Sequence, residues 1–377
     1  MSHDSGSNTV SNLLTLVITT SPTPSAPATE LLSGVLESFA AHCDVVLRCN
    51  VIVVFDTYEQ VTTTSRLKKG HVTPETAEKY DTYKENVKKL FLETFVKDGA
   101  VTTSLQVATD EAEYGSPGSP LLATPVPFTL SSTEDGRVRF IEAQGRRLGF
   151  GLGVRSALRA VRTPYVWIHQ HDWRLIYDIP VASLLSVMQS SQDDEAKPIK
   201  YICLPSGRRS SYATSEQVVP YPELRKVSLA LTGTYAPKPA ATVADGSSSL
   251  PAVPLTPMFF WHDKPHVAST THYLERVFPT RLAMMRGAFI EDTMGQKARN
   301  QMKQGQWRRW ATWQYNPDEG MSSCLRHLHG RTWRGEEEED RRRNLAVLKG
   351  MNTRSSRDSS ASASESDFCE PSLALIL

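Results

Sequence analysis

Over the first 205 residues, short β-branched runs alternate with stretches whose apolar positions recur at helical spacing. The run LLTLVITT (residues 13–20) reads as a buried strand, and SPTPSAPA after it as a loop. Leu31, Leu32, Val35, Leu36 and Phe39 then repeat as one face of a helix. VIVVFD (51–56) predicts a second strand that ends on a carboxylate, and residues 74–95 a long amphipathic helix with Pro74 at its start. Residues 109–136 read as loop-rich and 137–142 as a strand. After Gly149, Gly151 and Gly153 a helix carries Val154, Ala157, Leu158 and Val161. YVWIHQHD (165–172) and KYICLP (200–205) are further strands. This alternation predicts an α/β domain, a mostly parallel central sheet flanked by helices. Such sheets bind ligands at the carboxyl ends of their strands. Thr19, Thr20 and Ser21, then Asp56, then Gln170, His171 and Asp172 fall at those ends.

The second half is less regular. Residues 206–256 are rich in Ser, Ala, Pro and Gly and read as a low-complexity surface insertion. PMFFWHDKPHVAST (257–270) restores order, GAFIEDTMGQ (287–296) reads as a loop or strand turning into a helix, and a Trp-rich stretch leads to CLRHLHGRTW. Expected boundaries are a flexible leader at 1–11, one domain at 12–335 and a charged, then Ser-rich, disordered tail at 336–377. Within the domain, 12–205 forms a first half and 257–335 a second.

Composition removes several classes. Lys and Arg number 42 against 41 Asp and Glu, a net charge of +1, which lacks the basic excess expected of a nucleic-acid or membrane-surface binder. A hydrophobic share of 40% fits a folded chain. Five scattered cysteines without CxxC argue against a disulfide framework or structural zinc and favour a reducing compartment. The apolar runs fall short of the about 20 residues of a membrane span, and the start lacks a signal-peptide pattern. The expectation is a soluble, cytoplasmic protein without a nucleic-acid partner. Gly149, Gly151 and Gly153 do not satisfy GxGxxG, and GxxxxGK[ST] is absent, so neither dinucleotide nor P-loop binding is expected.

Strand alternation would put Gln170 and Asp172 on one face and His169 and His171 on the other. A carboxylate beside an amide at a strand end can hold a hydrated divalent cation and hydrogen-bond a ribose; it can equally cap the turn. LLTLVITTSP, VIVVFD and GFGLGVRSALRAVRTPYVWIHQHD together resemble the nucleotide-sugar half of GT-A fold glycosyltransferases, family 2-like members above all. The resemblance implies that Thr19, Thr20 and Ser21 meet the nucleotide, that Asp56 contacts base or ribose, and that 170–172 stands for the DxD motif. Gln170 replaces its first acid, which removes one charge from the metal site.

In FIEDTMGQ the resemblance makes Asp292, beside Glu291, the general base that takes the proton of an acceptor hydroxyl; two acids opening a helix also suit its dipole. RHLHGRTW resembles the HxxG segment whose His completes a metal shell. His327 fits the spacing to Gly330 and His329 competes. Asp172 and His327 would then hold Mn2+ or Mg2+, and Arg331 would grip the diphosphate. WHDKPH (261–266) either covers the nucleotide or lines the acceptor site, with Lys264 near the phosphates, or is a loop with Asp263 and Lys264 in solvent. Arg146, Arg147 and Arg155 form a modest basic patch that reads first as a solvated face, Arg155 being the candidate to face the phosphates. Trp307, Trp310, Trp313 and Tyr315 offer faces for sugar stacking or, the favoured reading, a helix packed on the core.

The implied protein is a glycosyltransferase of GT-A-like fold, inverting, with a nucleotide-sugar donor and a glycan, protein or small-molecule acceptor. A non-catalytic binder or scaffold on the same fold is the alternative. A sugar-phosphate nucleotidyltransferase ranks lower, because the loop after the first strand, SPTPSAPATE, has neither Gly nor a basic residue.

Overall fold

The computed structural model describes residues 9–96, 104–112, 125–207, 212–237, 250–280, 284–342 and 344–345 of the chain. The chain divides into two compact units, Met1–Trp333 and Arg334–Leu377. In the second unit residues 336–342 are helical, with ion pairs such as Arg341–Glu338 one turn apart; the Ser-rich tail and most of the leader lie outside the described residues.

The first unit opens with one helical turn, α1 (Val10–Leu13), and β1 (Leu14–Thr20), α2 (Glu30–His42) and β2 (Asn50–Phe55). A short ladder follows, β3 (Gln60–Val61) on β4 (His71–Val72), then α3 (Pro74–Phe95), β5 (Gln106–Ala112), β6 (Val126–Ser132) and β7 (Val138–Ala143). Next come α4 (Phe150–Ala160), β8 (Tyr165–Gln170), β9 (Trp173–Leu175), α5 (Val181–Ser190) and β10 (Tyr201–Cys203). The second half contributes α6 (Pro222–Leu231), β11 (Gly233–Tyr235), β12 (Val253–Pro257), β13 (His266–Ser269) and α7 (Thr270–Val277). A π-helical turn, Glu291–Gly295, runs into α8 (Gln296–Lys303), followed by α9 (Trp307–Trp310), β14 (Thr312–Tyr315) and β15 (Leu325–His327).

Eleven described strands form one sheet in the order β11-β12-β14-β10-β13-β8-β1-β2-β7-β6-β5. Its centre, β8-β1-β2-β7, is parallel throughout. Following the pairings outward, only β6, β12 and β13 run against β1, so eight of the eleven strands point one way. From β1 the chain passes to β2, then to the far edge at β5 and back inward through β6 to β7, and crosses to β8 on the other side of β1. That reversal opens a crevice at the carboxyl ends of β1 and β8, the topological switch point of an α/β sheet.

Local chemistry explains the elements. The Thr73 hydroxyl accepts from Thr76 N at 3.2 Å with Pro74 next to it, which starts α3. Ala77, Tyr80, Tyr83, Val87, Phe91 and Phe95 then repeat every three or four residues and bury one face. Val51 to Phe55 are all buried, as a central parallel strand requires.

Three expectations change. The described parts of 109–136 are mostly strand: β5 ends and β6 runs there as an antiparallel edge, residues 113–124 lie outside the described residues, and β5 is exposed at six of its seven positions, so no apolar run announced it. The 206–256 segment is not wholly a surface insertion, since α6 buries Leu224 and Ser228, while β12 buries Val253 and Leu255 and pairs with β14. Trp307, Trp310, Trp313 and Tyr315 are at most 5% exposed and belong to the core, but divided between α9 and β14 rather than on one helix.

Candidate functional site

The ladder carries the strand ends into a shared site. Thr19 pairs with Gln170 and Thr20 with Phe55. Just past them, Asp56 N donates to Thr20 O at 2.9 Å and His171 N to Thr19 O at 3.0 Å. Above these ends lies a cavity of about 410 Å³, lined by Thr19, Thr20, Ser21, Asp56, Gln170, Asp172, His327 and Arg331 among others. Four segments remote in sequence therefore meet at the switch point.

Asp56 stands with its carboxylate in a nest of backbone donors. Oδ1 accepts from Leu148 N at 2.6 Å and Thr57 N at 3.0 Å, and Oδ2 from Gly149 N at 3.0 Å. Burial pushes its pKa up to about 6, against the pull of these N–H groups and Arg147. It thereby fixes the loop that opens α4. Thr20 shares a hydrogen bond with the Tyr83 hydroxyl at 2.8 Å, and Gln170 Nε2 donates to the Asp263 carbonyl at 2.8 Å.

Strand alternation fails after Gln170, because β8 ends there and the next two residues turn. His171 and Asp172 consequently both line the cavity, while His169 is buried on Phe39 with its Nε2 2.7 Å from Trp173 O. Asp172 is 9% exposed. Its Oδ2 accepts from Gly330 N at 3.0 Å and lies 3.1 Å from His327 Nε2, whereas Oδ1 is buried with no hydrogen-bond partner. Burial favours the neutral acid, but the His327 hydrogen bond, the electrostatic pull of His171 and His327 and the Gly330 N–H outweigh it and hold the carboxyl well below the usual range. Gly330 serves close approach: a Cβ there would sit 2.5 Å from His171 Nε2 and 3.1 Å from Asp172 Cβ. His327, stacked on Trp173 with centroids 4.4 Å apart, is the histidine against Asp172; His329 lines the cavity with a left-handed φ of 55°.

Other expected residues lie elsewhere. Arg155 does not line the cavity but a small crevice with Asp110, Glu111 and Arg159. Two positions along a helix are about 200° apart, so with Gly153 toward the cavity Arg155 must turn away. Lys264 donates to Ser206 Oγ at 2.8 Å and is not a lining residue. Glu291 and Asp292 are outside the lining as well. Asp292 is exposed, three residues beyond Phe289, which does line it.

WHDKPH is neither a lid nor a solvated loop. Trp261 is fully buried and Asp263 is 4% exposed. The Asp263 Oδ2 accepts from Ile290 N at 3.1 Å, and Asp263 N donates to Glu291 Oε2 at 3.3 Å, so this segment holds the start of the π-turn. Burial, reinforced by Glu291 and Asp292, raises the Asp263 carboxyl well above its ordinary range. For Glu291 burial is outweighed by His262 and the Asp263 N–H, and its pKa is lowered.

Sequence reasoning missed Lys68, Phe150, Gly287 and Phe289 as lining residues and read Arg147 as a solvated charge. Phe150 and Phe289 stack with centroids 6.1 Å apart, and the Arg331 guanidinium lies 5.7 Å from the Phe289 ring. One signal was present: Gly149 before α4 has φ 78°, and a side chain there would strike the Gly287 backbone, itself at φ 78°.

The fold is that of an α/β protein with a cavity at the carboxyl ends of a mostly parallel sheet. No family model and no curated protein matches the chain. Among solved structures it is similar to the UTP-bound UGPase from Acinetobacter baumannii, at 11% identity over 76% of this chain and 82% of that one, with a TM-score of 0.28. A likeness that loose leaves the function to be argued from the site.

No described helix is long and apolar enough to cross a membrane. Among the described residues no group of three or more His, Cys, Asp and Glu side chains is placed to hold a metal ion. Asp172 and His327 offer two donors, one of them the unpartnered buried Oδ1. Mg2+ is commonly held by one or two carboxylates plus substrate phosphates and water; Asp172 supplies one such carboxylate, with His327 Nε2 turned to its Oδ2 at 3.1 Å.

Proposed function

We propose that the cavity binds a nucleoside-diphosphate sugar and that the protein transfers the sugar to an acceptor hydroxyl with inversion, on a GT-A-like fold. The observation that carries the reading is the meeting of 19–21, Asp56, Gln170–Asp172 and His327–Arg331 around one cavity at the switch point. In this reading Thr19, Thr20, Ser21 and Gln170 contact the nucleoside, and Asp56 keeps the α4 loop in place under it. Asp172 and His327 would hold Mn2+ or Mg2+, which neutralises the departing diphosphate when bound. Arg331 supplies a guanidinium to phosphate oxygens from the rim. Asp292 takes the acceptor's proton, its exposure leaving it open to a second substrate.

A panel of UDP-, GDP- and CMP-sugars with and without manganese, read by thermal shift, tests donor binding. Ligand at about 100-fold over its Kd should add about 2.7 kcal/mol. Asp292→Asn should keep that stabilisation and lose about 10²–10⁴-fold in transfer; near wild-type turnover refutes Asp292 as the base. A second reading, a nucleotide-sugar-binding protein without catalysis, is favoured by one observation: both Glu291 and Asp292 stand outside the cavity lining. It requires donor stabilisation in the wild type with neither transfer nor donor hydrolysis.

A further inference from the structure

Arg147 lines the cavity, yet neither the donor reading nor the fold explains how it is held. Its Cδ would be 2.8 Å from a Cβ at Gly70, and its Nη2 3.0 Å from one at Gly287. Both glycines have positive φ, 74° and 78°, so the side chain lies between two backbones that leave space for it. The guanidinium makes one hydrogen bond, from Nη1 to the Lys68 carbonyl at 3.1 Å. Lys68 lines the same wall and is exposed.

The surrounding charges do not balance. Asp56 and Glu59 are the acids that feel Arg147. Asp56 is saturated by three backbone N–H groups, and Glu59 forms a two-pronged pair with Arg286, one prong 2.9 Å long. Among the described residues, Arg146, Arg147 and Arg286 act on Glu59, and Lys68 is on the same wall, against two acids already occupied. Arg286 Nη1 also donates to Arg147 O at 3.2 Å, so the same pair braces the Arg147 backbone.

This wall is also set apart from the Asp172 end. Arg147 belongs to the loop that Asp56 holds at the end of β2, whereas Asp172 follows β8, and β1 lies between them. Two interstrand spacings put the ends of β2 and β8 about 10 Å apart. Arg147 lies against Gly287, whereas Asp172 is paired with His327 and Gly330.

We propose that Arg147 and Lys68 form a second anion subsite of the cavity, on the wall beyond β2, which takes a phosphoryl group. A planar guanidinium held in advance can meet two phosphate oxygens at once, and the neighbouring ammonium balances the second negative charge. That this phosphoryl group is additional to a donor diphosphate rests on the donor reading; phosphate binding at Arg147 does not. The group sits either on the ribose of the bound nucleotide or on a separate molecule such as a phosphorylated acceptor.

The test is calorimetric titration of the full chain with inorganic phosphate at low ionic strength. The wild type should bind with a Kd in the range of about 1 mM. Arg147→Gln should weaken binding about tenfold and Lys68→Ala about threefold, with Arg331→Gln nearly silent. Lys68 is exposed, so its variant reports even if Arg147→Gln disturbs the two-glycine contact; Arg147→Lys should fall in between, because it keeps charge but loses the fork. Uridine 3′,5′-bisphosphate against UMP, and glucose 6-phosphate against glucose on UDP-saturated protein, separate the two sources. One of the pairs should show an Arg147-dependent gain.

No phosphate binding, binding lost only with Arg331, or no gain in either pair overturns the subsite. Phosphate binding through Arg147 without stabilisation by any nucleotide sugar overturns the donor reading alone.

Discussion

Gly330→Ala tests the geometry on which the site rests. A Cβ at this position would lie 2.5 Å from His171 Nε2 and 3.1 Å from Asp172 Cβ. His171 is 8% exposed and holds Thr19 O through Nδ1 at 3.3 Å, so it has little room to yield. The chain at 330 must move instead, which withdraws its N–H from Asp172 Oδ2, now at 3.0 Å. Losing a hydrogen bond to a charged group costs about 1.5–3 kcal/mol, and forcing a methyl into a packed site about 1–3 kcal/mol. Partial relaxation makes these overlap, so a loss of about 2–4 kcal/mol is expected. Urea denaturation followed by tryptophan fluorescence measures it, with Gly207→Ala as control, since nothing lies within 4 Å of a Cβ there. The same substitution should weaken manganese-dependent nucleotide binding, because it shifts Asp172 relative to His327. A Gly330→Ala protein within about 0.5 kcal/mol of wild type, the span of ordinary surface changes, with binding intact refutes the close-approach argument.

Two further predictions concern the frame of the site. His266 is fully buried, its Nδ1 2.7 Å from the Lys264 carbonyl and its Nε2 without a partner, and burial depresses its pKa to about 3. An unfolded histidine titrates near 6.5, so below that pH the unfolded chain takes up a proton that the folded chain refuses. Stability due to this residue is present above about pH 6.5 and falls by about 2 kcal/mol by pH 5; His266→Gln should flatten that part of the urea-midpoint profile, and an unchanged profile counts against the neutral, buried ring. Trp313 is fully buried with Nε1 donating to Pro198 O at 2.8 Å. Trp313→Phe should cost about 2–4 kcal/mol in urea denaturation, from lost volume and an orphaned carbonyl, while donor stabilisation in the thermal-shift panel survives; loss of ligand binding out of proportion to stability would place Trp313 in the site after all.

The legible parts of the chain are those where one local pattern decides one structure. The apolar run at 13–20, the Thr73–Pro74 start and the apolar spacing of 74–95 each act within a few residues, and β1 and α3 appear where the pattern puts them. The edge strand β5 was invisible because six of its seven side chains face solvent and leave no period to read. The site divides along the same line. Thr19, Asp56, Gln170 and Asp172 could be picked out because strand ends in an α/β sheet are fixed by the strands. Arg147, Gly287, Phe289 and the buried acid Asp263 could not, since each depends on a segment far away in sequence. Arg147 is set by Gly70 and Gly287, and Asp263 by Ile290 N and Glu291. A positive-φ glycine is the one local trace that such an approach leaves, because only the absence of a side chain lets two backbones touch. Gly149 against Gly287 is that case: a glycine in the sequence marks that something comes close, and the fold alone names the partner.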